Sequence, residues 1–207
     1  MKFNHDALVK FRQWAIISVW IACVTYGGIQ LNEYEQRPGK DVPPAVTWPN
    51  RSTLSRSPTL PTLVVFVHEE CPCTRASMTE LQVIGTRCRK RLSIIVAFVN
   101  EGVTKPIIGS SLWQAAKAVP SAVVVKVQPQ EASLFGATTS GFTALYDVSG
   151  HLVYSGGVTS QRGHEGDNAC VDAIIAFVNH GASDFKRAPT FGCALFNEIG
   201  SENKPTN

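Results

Sequence analysis

Residues 62–81 read TLVVFVHEECPCTRASMTEL. The first six form a largely apolar, β-branched run of strand length. A polar turn, His68-Glu69-Glu70, leads into Cys71-Pro72-Cys73. From Thr74 the period changes: Ala76, Met78, Leu81, Ile84 and Cys88 recur at helical spacing over residues 74–91. Pro72 suits a helix start, where its missing N–H costs little. A buried strand that delivers two cysteines to the start of a helix is the reading from which the rest follows.

Outward from this corner, strands and helices alternate. Residues 92–99 read as a strand, 110–119 as a helix, 122–128 as a strand and 130–135 as a helical turn. Residues 142–147 and 151–155 read as two strands, with Ser149-Gly150 predicting a tight hairpin between them. Residues 169–179 read as a last helix, with Ala173, Ile174, Phe177 and Val178 apolar and Asp167 or Asn168 as its cap. This pattern predicts an α/β sandwich with an antiparallel part, over residues 62–180. A stretch of about 120 residues is enough for one core.

The flanks read differently. Residues 14–31, WAIISVWIACVTYGGIQL, are 18 residues without a charge, near the lower limit of a membrane span. Lys2, Lys10 and Arg12 precede them, and Glu33 and Glu35 follow. The positive flank predicts that residues 1–13 stay in the cytoplasm and that the rest faces the periplasm or exterior of a single-pass protein of the cytoplasmic or inner membrane. An uncleaved signal anchor is favoured. A cleaved signal peptide lacks a good small-residue site after the run. Lipid modification at Cys23 is disfavoured by Trp20 and by the apolar residues that continue past it. A buried soluble helix is the remaining alternative. Residues 32–61 carry Pro38, Pro43, Pro44, Pro49, Pro58 and Pro61 among polar residues, which predicts a semi-extended linker. Residues 181–207 read as a tail.

Composition narrows the class. Hydrophobic residues make up 44% of the chain and charged residues 17%, which argues against wholesale disorder. The net charge of +3 comes from scattered residues, so no nucleic-acid partner is expected. Six cysteines in 207 residues are too few for a disulfide-dense scaffold. Cys88 and Cys170 fall on helices and read as core, and Cys23 falls in the apolar segment.

Three stretches carry a family resemblance. TLVVFV followed by HEECPC and a helix resembles the active-site corner of thioredoxin-like proteins. VVVKVQPQEASLFGA, residues 123–137, resembles the strand-and-helix insert of the peroxiredoxin and membrane-tethered thiol-oxidoreductase branch, and ALYDVSGHLVYSGG, residues 144–157, resembles its final hairpin. More narrowly, residues 68–81, 155–168 (SGGVTSQRGHEGDN) and 190–195 (TFGCAL) together resemble a group sometimes labelled RedB. The resemblance implies a thioredoxin-like three-layer sandwich with a central strand-helix insert, preceded by one transmembrane helix. Two departures stand out. The pair is C-x-C rather than C-x-x-C, and residues 139–142, TSGF, hold no proline where relatives place a cis-proline.

The chemistry follows from the thiols. Helix N-terminal amides stabilise a thiolate. Cys71, ahead of the helix and expected to be exposed, reads as the attacking thiol, and Cys73 as the resolving one. A disulfide between residues two apart closes a small, strained ring that is easily reduced. His68, three residues before Cys71, reads as a proton carrier or thiolate stabiliser, against a plain surface residue. Arg75 adds positive charge or is a solvated helix residue. The first functional reading is a thiol–disulfide oxidoreductase with no cofactor, acting on protein thiols or disulfides. The second is a Cu(I)-binding or delivery module. Its third ligand would be His164, by similarity to Sco-type copper-delivering proteins, which take a histidine from a comparable late loop. Peroxide reduction and an inert scaffold rank below these. Cys193 reads equally as a third partner of the corner or as a small packed residue.

Overall fold

The computed structural model describes residues 5–69, 71–100 and 108–196. The chain divides into two compact units, Met1–Arg37 and Pro38–Asn207.

The first unit is one helix, α1, His5–Glu35. It extends beyond the charge-free stretch at both ends, because the flanking Lys, Arg, Gln and Glu are themselves good helix formers. Thirty-one residues at 1.5 Å each give about 46 Å, more than the roughly 30 Å of a bilayer core. Trp14, Ile17, Trp20, Ile21, Val24 and Ile29 are all exposed, and they spread around the helix rather than along one stripe. By length and composition Val9–Glu35 can cross a membrane. Residues 1–4 of the expected cytoplasmic segment and 197–207 of the expected tail lie outside the described residues.

In the second unit the order is β1 (Thr62–Val67), α2 (Thr74–Arg87), β2 (Ser93–Val99), α3 (Ser111–Lys117), β3 (Ala122–Val127), α4 (Pro129–Leu134), β4 (Phe142–Tyr146), β5 (Leu152–Gly156) and α5 (Ala169–His180). Among the described residues these strands form a five-stranded sheet, β3-β2-β1-β4-β5. β2 is parallel to β1 and to β3, while β4 is antiparallel to β1 and β5. β1 is central and every residue in it is buried, which is why its sequence is a continuous run rather than an alternation. Its alternate side chains feed two cores. Leu63, Val65 and Val67 pack with Met78, Leu81, Ile84 and Ile174 from α2 and α5. Val64 and Phe66 pack on the other face with Phe135, Tyr146 and Leu195. The result is three layers.

The expected hairpin is looser than a two-residue turn. Asp147 N–H donates to His151 O (2.9 Å), and the Asp147 carboxylate accepts from the amides of Ser149 and His151. Gly150 takes φ +87°, so a three-residue loop ends in a left-handed glycine. The cap of α5 is Asn168, whose side chain accepts from Cys170 N and Val171 N.

The largest correction concerns the expected semi-extended linker, residues 32–61. Its residues 45–54 pack on the second face of the sheet, and residues 39–41 meet Thr138, Arg187 and Thr190. Trp48 meets Phe135 and Tyr146 edge-on at 5.1 and 5.2 Å, and Tyr146 Oη donates to Ala45 O at 2.9 Å. Ser52 and Thr53 donate to the carboxylate of Glu131. The physical reason is coverage. The six-residue α4 alone is too short to cover that face, and prolines hold the added segment extended against it.

Candidate thiol site

The site sits where β1 ends. His68 is pinned through its backbone. Its N–H donates to Ser140 Oγ (2.9 Å), and its carbonyl accepts from Cys71 N (3.3 Å) and Thr74 Oγ1 (3.1 Å). This turn drops Cys71 behind Pro72 and sets Cys73 at the N-cap of α2 with helical dihedrals. The Cys73 carbonyl already accepts from Ser77 N.

Cys71 is 3% exposed and Cys73 8%. The expectation of an exposed Cys71 is thereby corrected: Pro72, between the two buried cysteines, takes the exposed position. Cys71 borders a groove of about 190 Å³ whose walls include Pro72, Arg75, Ser110 and Leu112.

The stretch expected to lack a cis-proline has a different arrangement. Among the described residues no peptide bond is cis. Ser140 stands there, its hydroxyl shared between His68 N and Thr74 Oγ1. Residues 138–140 pair instead with the carboxyl-terminal segment. Ser140 N donates to Cys193 O at 2.8 Å, Leu195 N donates to Thr138 O at 2.9 Å, and Thr139 bridges Ala194. A Cβ on Gly192 would run into Ser140 O, so glycine lets the two backbones close. This pairing carries Cys193 to the corner, where its N–H donates to Cys71 Sγ at 3.4 Å. Part of the expected tail is thus a wall of the site.

The three thiols differ electrostatically. Burial pushes Cys71 up, but the Cys193 amide and thiol, the Cys73 amide and the Thr74 hydroxyl favour its thiolate. The balance falls below the ordinary 9.0. Cys73 is raised, first by burial and then by the Cys71 charge and hydrogen bond, with the Arg162 guanidinium opposing. Cys193 is pushed up to about 11, by burial and then by the hydrogen bond and charge of Cys71. Cys88 and Cys170 are buried core thiols, both raised chiefly by burial.

No protein-family model matches the chain, and no curated protein does. Solved structures share its fold. An uncharacterized conserved protein from Geobacillus kaustophilus superposes with a TM-score of 0.56 at 18% identity, over 80% of this chain and 95% of that one. A thiol:disulfide interchange protein of the thioredoxin family from Chlorobium tepidum TLS gives 0.43 at 16% identity, over 68% and 98%. Copper-bound ScoI from Arabidopsis thaliana gives 0.39 at 13% identity, over 58% and 82%. The fold is thioredoxin-like. At these identities the likeness is one of fold.

Within this thioredoxin-like corner, the residues singled out from sequence separate. Cys71 and Cys73 are together, and His68 is held beside them through its backbone. His164 is exposed on the loop before α5. Among the described residues no group of three His, Cys, Asp or Glu side chains is placed to hold a metal. The loop instead contributes Arg162, whose guanidinium favours the Cys73 thiolate. The loop itself is tied down by Glu80, a buried carboxylate that accepts from Gly166 N at 2.7 Å. Burial raises Glu80, with the Gly166 amide opposing. The resemblance over residues 155–168 points to this loop, and His164 rather than Arg162 is the residue weighed in it. Ser140 and Glu80 gave no signal, since their partners are 72 and 86 residues away.

Proposed function

We propose that the chain is a membrane-anchored thiol–disulfide oxidoreductase acting outside the cytoplasm through Cys71 and Cys73. The observation that carries this reading is the asymmetry of the corner. One thiol, Cys71, is favoured as thiolate by surrounding donors, while the thiols beside it are held protonated. A thiolate with a protonated thiol neighbour is what exchange needs. Cys71 attacks a partner's disulfide, the partner S–S bond breaks, and one partner sulfur leaves as a thiolate. A second thiol of the corner, Cys73 in the simplest scheme, loses its proton and attacks Cys71 Sγ. The second partner sulfur then leaves reduced. Arg162 steadies the negative charge on Cys73 as it attacks. The half-buried His68 is a candidate to carry the protons. α1 supports a membrane anchor, and Lys2, Lys10 and Arg12 support an outward-facing domain.

Copper delivery is the alternative reading. Its donors would be Cys71 and Cys73, soft ligands suited to Cu(I), with His164 as the third. The exposed His164 adds no support to it in this arrangement.

The test uses the full chain in detergent micelles. The reduced protein is mixed with a disulfide-bridged reporter peptide, and separately competed for Cu(I) against a chelator of known affinity. The oxidoreductase reading expects reporter reduction that disappears in Cys71→Ser and survives in His164→Ala. Tight one-to-one Cu(I) binding that needs His164, without reporter reduction, would replace it with the copper reading.

A further inference from the structure

The geometry points to Cys193 as the thiol that resolves Cys71, so that the disulfide formed in turnover is Cys71–Cys193 rather than Cys71–Cys73. This inference rests on the oxidoreductase reading above and changes its second step.

Three observations carry it. First, Cys193 is already delivered to the sulfur. Its amide donates to Cys71 Sγ at 3.4 Å, and its thiol is one of the groups that favour the Cys71 thiolate. Second, the delivery is built into the fold. Residues 193–195 add to 138–140 as an extended strand, with hydrogen bonds of 2.8 and 2.9 Å on either side of Cys193-Ala194. Gly192 is needed for that approach. Strand addition of this kind fixes register, and register fixes which side chain faces the site. Third, Cys73 also lies against Cys71, but only Pro72 separates the two residues, so a bond between them closes a small, strained ring.

Cys193 is not among the residues lining the groove beside Cys71. A partner sulfur lodged in that groove and the Cys193 sulfur therefore reach Cys71 without competing for one position. The protonated state of Cys193 in the resting site is partly the work of the Cys71 charge. Once Cys71 is bonded to a partner, that charge is gone; burial, the largest cause, still disfavours the Cys193 thiolate, while Arg162 favours it.

The step balances as follows. Cys71 Sγ is joined to a partner sulfur in a mixed disulfide. Cys193 gives up its proton and attacks Cys71 Sγ. The Cys71–Cys193 bond forms, the Cys71–partner bond breaks, and the partner sulfur leaves with the electron pair and takes up a proton. Over both steps the partner disulfide gains two electrons, which Cys71 and Cys193 lose; Cys193 releases one proton and the other that the partner takes up comes from solvent.

The experiment is a non-reducing tryptic map of the full chain, oxidised in detergent with oxidised glutathione and blocked with iodoacetamide. Cys71 and Cys73 lie on one peptide, residues 57–75, and Cys193 on another, residues 188–207. The expected product links the two peptides, persists in Cys73→Ser and vanishes in Cys71→Ser. In Cys193→Ser, the Cys71–glutathione adduct should accumulate about tenfold, because its resolution is slowed. A loop confined to residues 57–75, or adduct clearance in Cys193→Ser as fast as in the unaltered chain, overturns the inference and leaves the oxidoreductase reading in place. No reversible disulfide under any condition overturns both.

Discussion

Two segments flank the thioredoxin-like sheet, residues 38–61 before it and residues 186–196 after it. Both are poor in regular structure and both lie against the domain. They do different work. The first is anchored by an aromatic cluster around Trp48 and by hydroxyl and amide donors on Glu131. The second pairs backbone to backbone with 138–140 and ends at a reactive sulfur. The difference teaches that irregular chain on a small sheet can serve as core cover or as part of a site. What distinguishes the two is what the segment touches.

The largest expected effect falls on the second segment's partner. Cys71→Ser should abolish disulfide exchange, by about a thousandfold or more, because no other thiolate stands at the corner. Both segments should stay docked, read as an unchanged protease digestion pattern. Loss of docking would mean that the sulfur contact, not the strand pairing, holds the second segment.

Trp48→Ala is the matching change in the first segment. Removing its packing on Phe135 and Tyr146 should cost about 2–3 kcal/mol of stability, measured by urea unfolding. The exchange rate of the folded fraction should not move. A large rate change would break the division between cover and site.

Gly192→Ala should separate the segments in the other direction. Its Cβ collides with Ser140 O, so the 193–195 pairing opens. The stability loss should be about 1 kcal/mol, while the Cys71–Cys193 cross-link falls severalfold in the peptide map.

The smallest effect is in pH. Glu131 is buried, which raises it, but Ser52 and Thr53 outweigh burial and hold it below 4.5. A carboxyl with a lowered folded value stabilises above its unfolded value and loses that contribution as pH falls through the folded one. The first segment's hold should therefore be full at neutral pH and weaken in acid. Glu131→Gln should flatten that acid loss, read as the unfolding midpoint between neutral pH and pH 3. An unchanged slope would remove Glu131 from the account.

Much of the fold was legible because the sheet's own residues carry the periods that define it. The β1 run and the helical spacing from Thr74 marked the thiol corner, and Asp167 or Asn168 marked the cap of α5, which is Asn168. The second face was not legible. A proline-rich polar stretch has the same composition whether it floats or lies extended on a sheet, and only Trp48 and Leu54 hinted at contact. Ser149-Gly150 marked a hairpin but not its extra residue, since the Asp147 carboxylate that closes the loop works through backbone amides. In the site, Cys71 and Cys73 announced themselves by spacing. Cys193 stood only as an even alternative, because a contact with a cysteine 122 residues away leaves no local pattern. His164 drew attention as a type of ligand, whereas the loop presents Arg162.

The most direct test of the central claim is a glutathione redox titration of the full chain in detergent, with each of the six cysteines followed by alkylation and peptide mass. The account predicts that two thiols are lost and regained together as the ratio changes, and that Cys71 is one of them. Loss of no thiol at any ratio, or loss that falls on Cys88 or Cys170 instead, would contradict it.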